Sequence, residues 1–133
     1  NVAKQTISCY EDEREVFFAK MSSGKIGESE TPLGEWYRVW RKMISVHMSG
    51  GTTGGGYDLA GIGWTTLFMG DGIAIHSTFW HHNYGERMSH GCINVTPENA
   101  KYIFRWCAPV VQYDPGDKVV TDYSGTRVRV IEQ

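Results

Sequence analysis

Only one stretch of the chain carries a helical pattern, and that restriction does most to decide what it can fold into. In "VTPENAKYIFRWCAPV", residues 95–110, Thr96 stands where a helix needs its N-cap and Pro97 where the first turn tolerates a missing N–H. Ala100, Ile103, Phe104 and Cys107 follow at the i, i+3, i+4, i+7 spacing of a buried stripe, and Pro109 ends the run. Cys107 is thereby assigned to the core. The rest of the chain must build its core from strands.

Those strands are marked by their turns. "QTISCY" and "REVFFAKM" flank the charged "EDE" as the arms of a hairpin with a solvated tip. In "TPLGEWYRVWRKMIS", Pro32 and Gly34 punctuate a turn, and the aromatic, β-branched run behind it reads as a strand. "WTTLFM" and "IAIH" flank "GDG", a hairpin signal that places His76 at the end of a strand. Residues 48–61, "MSGGTTGGGYDLAG", read as a loop; a phosphate-binding loop is not supported, because no Gly-Lys-Ser/Thr follows and no helix opens there. "DKVVTDYSGTRVRVIEQ" supplies two strands around Ser124 and Gly125, and the alternation of Val128 and Val130 with Arg127 and Arg129 predicts one wet face. The expected fold class is mainly β, a sandwich or barrel with one main helix, formed by residues 1–133 as a single domain without linker or repeat.

Charge excludes some partners. The 133 residues carry a formal net charge of -2 with no basic run, so nucleic acid is not an expected ligand. No apolar run has the length to span a bilayer, and "NVAKQTIS" is not a signal peptide. The chain starts at Asn1, which suits a mature secreted protein or a domain excised from a membrane-anchored precursor, so its compartment has to be read from its chemistry.

That chemistry concentrates in one place. His76, His81, His82 and His90 lie within fifteen residues and lead to Cys92 in "SHGCIN". His81 and His82 read as exposed loop residues. A zinc set of His76, His81 or His82, His90 and Cys92 has suitable donor atoms, but it lacks the HExxH or paired CxxC scaffold of a zinc site, so no metal and no cofactor is expected. A nucleophilic Cys92 makes better use of the pattern. Gly91 lets backbone approach a substrate carbonyl, the N–H groups of Gly91 and Cys92 can converge on an oxyanion, and the nearby helix start favours a thiolate. His76, on its strand, is the base candidate, with the Ser77 carbonyl as its orienter and the imidazole available to hold the thiolate as an ion pair. His90 would shape the oxyanion side.

With these residues in view, the chain resembles the YkuD-type L,D-transpeptidase catalytic domain: a histidine, a loop of this length, then Ser89, His90, Gly91, Cys92, Ile93 and Asn94. "TPLGEW" and "GDGIAIHSTFWHHNYG" extend the likeness, which runs from about Thr31 to Trp106. The resemblance implies that Cys92 attacks the third residue of a peptidoglycan stem tetrapeptide, releases D-Ala, and passes the acyl group to an amine of a second stem, or to water in a carboxypeptidase. It implies catalytic roles for Cys92, His76, Ser77, His90 and Gly91, and substrate contacts for Trp80, Ser89, Asn94 and, more loosely, Tyr57. It further implies an extracytoplasmic location and covalent inhibition by carbapenem-type β-lactams.

Overall fold

The structure is a computed structural model and describes residues 1–50, 57–70, 72–112, 120–121 and 124–133, with the side chains of Tyr57 and Thr121 outside that set. Its strands are β1 (Thr6–Glu11), β2 (Arg14–Lys20), β3 (Gly34–Arg38), β4 (Arg41–Gly50), β5 (Tyr57–Met69), β6 (Ile73–Ser77), β7 (Ile93–Val95), β8 (Val120–Thr121) and β9 (Arg127–Val130). Its helix is α1 (Pro97–Trp106). Five strands form the main sheet in the order β7-β6-β5-β4-β8, β1 pairs with β2, and β3 pairs with β9. The three sheets pack as a sandwich-like fold and do not close into a barrel.

Helix α1 forms where its local signals place it. The Thr96 hydroxyl accepts the Asn99 N–H at 3.2 Å, Pro97 occupies the first turn, and Ala100, Ile103 and Phe104 are buried. Burying each of the two larger side chains contributes about 1.5–3 kcal/mol. They join Cys107, Ile75, Ile93, Val95, Met21, Cys9, Val39 and Val130 in the core, while the Phe104 ring meets Trp64 edge-on. Cys9 and Cys107 are buried free thiols, and burial pushes the pKa of both upward. The last strand has the expected wet face, with Arg127 and Arg129 exposed and Val130 buried.

Two expectations change. The run from Gly34 to Ser45 is two strands in different sheets, because its hydrogen-bond partners switch in the middle. Val39 N–H donates to Thr126 at 2.9 Å, whereas Trp40 N–H donates to Leu67 at 3.0 Å. The glycine-rich stretch is partly strand: β4 reaches Gly50, which pairs with Tyr57, and Met48 pairs with Leu59. Ladder bonds use only backbone, so the lack of side chains there does not prevent pairing. Residues 51–56 lie outside the described set.

One feature of the core has no sequence signal. Lys42, on β4, is fully buried, and its ammonium donates to the carbonyls of Phe104 at 2.7 Å, Pro109 at 2.6 Å and Cys107. A cation placed at the negative end of α1 ties the helix to the sheet.

Candidate active site

Strands β6 and β7 run parallel, with Ile75 opposite Ile93 and His76 opposite Asn94. Residues in register share a face, and alternation divides each strand. Ile75, Ile93 and Val95 point into the core with α1. His76 and Asn94 therefore lie side by side on the other face, and Cys92 stands in the loop immediately before β7, two residues before Asn94.

The loop carrying Cys92 is held by a segment far away in sequence. Ser22 exchanges both backbone bonds with Asn94, at 2.9 and 2.8 Å, and the Ser23 carbonyl accepts the N–H groups of Met88 and Ser89 at 3.0 and 3.1 Å. Lys25 N–H donates to the Ser89 carbonyl at 3.1 Å. The buried Thr31 hydroxyl accepts the Gly24 N–H at 3.0 Å and donates to the Gly91 carbonyl at 2.7 Å. Gly24 is required at this crossing, since a Cβ there would sit 2.0 Å from the Ser29 carbonyl. The bonds that residues 22–25 make to this loop are mostly backbone bonds, which side-chain patterning does not announce. Thr31 was visible only as a turn residue.

Within the loop, Ser89 is a brace. It is buried, its hydroxyl donates to the Cys92 carbonyl at 2.5 Å, and it accepts the Gly91 N–H at 3.0 Å. This corrects one expectation. The Gly91 N–H is engaged with Ser89 and does not converge with the Cys92 amide on an oxyanion; Gly91 contributes instead by adopting φ +122°, a conformation that side chains rarely accept. Ser89 itself has its hydroxyl bonded within the loop. His90 is exposed beside them.

Cys92 is half-buried, and its thiol donates to the Gly72 carbonyl at 3.1 Å. Burial pushes its pKa up to about 11, partly offset by the Ala74 backbone. His76 is buried, and its Nδ1 bonds the Ser77 carbonyl at 2.8 Å. A carbonyl only accepts, so Nδ1 carries the proton and Nε2 is the bare nitrogen of the neutral ring. Burial lowers the pKa of His76 most, the Ser77 carbonyl pulls it back up, and His81 lowers it further. The resting site thus holds a neutral thiol and a neutral imidazole. The expected thiolate–imidazolium pair gives way because desolvation penalises both charged forms. Ser77 is also anchored through its hydroxyl, which donates to the Gly63 carbonyl at 2.9 Å.

Trp80, 39% exposed, lies with its ring 6.1 Å from that of His76, where it can line the approach to the base. Asn94 is 1% exposed and its amide faces His81 at 3.1 Å. His82 is exposed, as expected, but His81 is half-buried and bonded to both Asn83 and Asn94. The expected substrate contact through the Tyr57 side chain falls outside the described residues. Among the described residues, no three His, Cys, Asp or Glu side chains converge as a metal site.

The model of the YkuD L,D-transpeptidase catalytic domain matches residues 1–130. The chain belongs to the L,D-transpeptidase catalytic domain family. Among solved structures, L,D-transpeptidase 3 of Mycobacterium tuberculosis carrying a faropenem-derived adduct is 26% identical with a TM-score of 0.69, covering 79% of this chain and 53% of that one. An Enterococcus faecium L,D-transpeptidase, solved as a cysteine-to-serine mutant, is 29% identical with a TM-score of 0.67, over 77% of this chain and 42% of the other. An L,D-transpeptidase from Mycobacterium smegmatis shares the fold at 23% identity and a TM-score of 0.74, over 97% of this chain and 56% of that one. This L,D-transpeptidase-family chain spans about half the length of the structures it matches. A search of curated protein sequences gives no match.

Proposed function

We propose that the chain catalyses acyl transfer on peptidoglycan stem peptides as a cysteine-dependent L,D-transpeptidase. His76 Nε2 takes the Cys92 proton as the sulfur attacks the carbonyl of the third stem residue, typically meso-diaminopimelate. The tetrahedral intermediate collapses by breaking the bond to the terminal D-Ala, whose amine receives the proton from His76, and a thioester remains on Cys92. The side-chain amine of a second stem then attacks the thioester, again with His76 as proton acceptor, to give a 3–3 cross-link and the free thiol. Such a substrate is met outside the cytoplasm, so we assign the chain to the cell envelope.

The observation that supports this reading most is the β6–β7 register, which sets His76 opposite Asn94, two residues after Cys92, with its Nδ1 bonded to the Ser77 carbonyl. Membership of the family supports it. Mass analysis of products from a defined disaccharide-tetrapeptide tests it. The expected products are free D-Ala and a cross-linked dimer, with none from Cys92→Ala. Release of D-Ala with only tripeptide product would reassign the enzyme as a carboxypeptidase using water. Intact substrate, together with no acyl adduct from a carbapenem, would remove the acyl-transfer reading altogether.

A further inference from the structure

His81 and Asn94 meet through two nitrogens, Nε2 and Nδ2, 3.1 Å apart. The other ring nitrogen determines which must donate. His81 Nδ1 accepts the Asn83 N–H at 3.1 Å, so it is unprotonated, and the neutral ring carries its proton on Nε2. Asn94 must then offer oxygen. Its Oδ1 is enclosed and meets no hydrogen-bond donor on its present side. A half-turn of the amide exchanges its two ends and lets His81 Nε2–H donate to Oδ1.

This bond joins β7 to the 78–84 loop. Asn94 is locked at its backbone by both bonds to Ser22. The loop is pinned at its two ends: Thr78 and Tyr84 share a hydroxyl–hydroxyl bond of 2.5 Å, the Ser22 hydroxyl donates to the Asn83 carbonyl at 3.1 Å, and Gly85 N–H donates to Met21 at 2.9 Å. Residues 79–82 span the interval, and within it Trp80 lies between His76 and His81, with ring centroids 6.1 and 6.3 Å away. The Tyr84 ring packs on His81 from the other side at 5.4 Å.

We infer that His81 is a positioning residue for acyl transfer: through Asn94 it ties the 78–84 loop to β7, two residues from Cys92, and so holds Trp80 against His76. The inference rests on the acyl-transfer reading above. It extends that reading to a histidine whose contacts are with Asn83, Asn94, Trp80 and Tyr84.

Glutamine and asparagine separate the two ring nitrogens, because the amide of Gln reaches where Nε2 lies and that of Asn where Nδ1 lies. Acylation by a carbapenem, followed by intact mass, is compared for wild type, His81→Ala, His81→Gln, His81→Asn and the His81→Ala/Asn94→Ala pair, with thermal unfolding of each. His81→Ala and His81→Asn are expected to slow acylation by roughly ten- to a hundredfold, the scale of a slightly misplaced site, and His81→Gln to restore most of it. Asn94→Ala is expected to add little once His81 is Ala, as for two residues acting through one bond. Wild-type rates in His81→Ala, or no rescue by Gln, would overturn the inference while leaving the enzyme reading intact. An unacylated wild type would instead remove the reading on which it rests.

Discussion

Removing the His76 imidazole separates two ways of activating Cys92. Had the site held a stored thiolate–imidazolium pair, wild-type acylation would already be at its plateau while His76 is protonated. Desolvation instead pushes the thiol's pKa up to about 11, partly offset by the Ala74 backbone. At pH 7 such a group is ionised to about one part in ten thousand. His76, pushed below the ordinary imidazole value by burial, is unprotonated at the same pH and free to take the proton in the transition state. Wild-type acylation should therefore rise as pH climbs through the lowered His76 value, then stay level to pH 10. His76→Ala must rely on spontaneous ionisation, so its rate should fall by about 10²–10⁴ at pH 7 and regain about tenfold for each pH unit up to 10. Time courses of adduct mass with a carbapenem, from pH 5 to 10, measure both profiles. A His76→Ala rate within tenfold of wild type at pH 7, or one that does not rise with pH, would refute the neutral-pair argument.

Thr31→Val keeps shape but removes the hydroxyl between Gly24 N–H and the Gly91 carbonyl. With about 1–3 kcal/mol for each buried group left unpaired, urea unfolding should show a loss of about 2–5 kcal/mol. An unchanged midpoint would mean that the turn does not brace the nucleophile loop. Lys42→Met leaves three carbonyls at the end of α1 without their donor; a loss of about 3–5 kcal/mol is expected in thermal or chemical denaturation, and stabilisation would contradict the capping role. A small alkylating reagent at pH 8 should modify one thiol of the native protein and all three after unfolding, since Cys9 and Cys107 are buried and Cys92 is only half-buried. Native Cys92→Ala should take up none, and any rapid labelling of that variant would show that the core opens.

What was legible in the chain follows from how far each determinant reaches. Helix α1 was readable to its cap because Thr96, Pro97 and the stripe to Cys107 act within three turns of one another. The break between β3 and β4 was not, since Val39 and Trp40 look alike as strand residues and differ only in partners, Thr126 and Leu67, that lie distant in sequence. The nucleophile motif was legible as chemistry but not as wiring. Its amides are allotted by Ser89, which claims the Gly91 N–H, and its loop is held by the backbone of residues 22–25, whose partners lie more than sixty residues away in sequence. His81 shows the same limit from the other side. In sequence it is one of two adjacent loop histidines, and what distinguishes it from His82 is contact with an asparagine thirteen residues later on a strand that the loop must first reach. Charge state was the hardest to read. A cysteine near a helix start invites the thiolate, but the decision belongs to burial, and burial exists only after β6, β7 and the loops around Cys92 have come together.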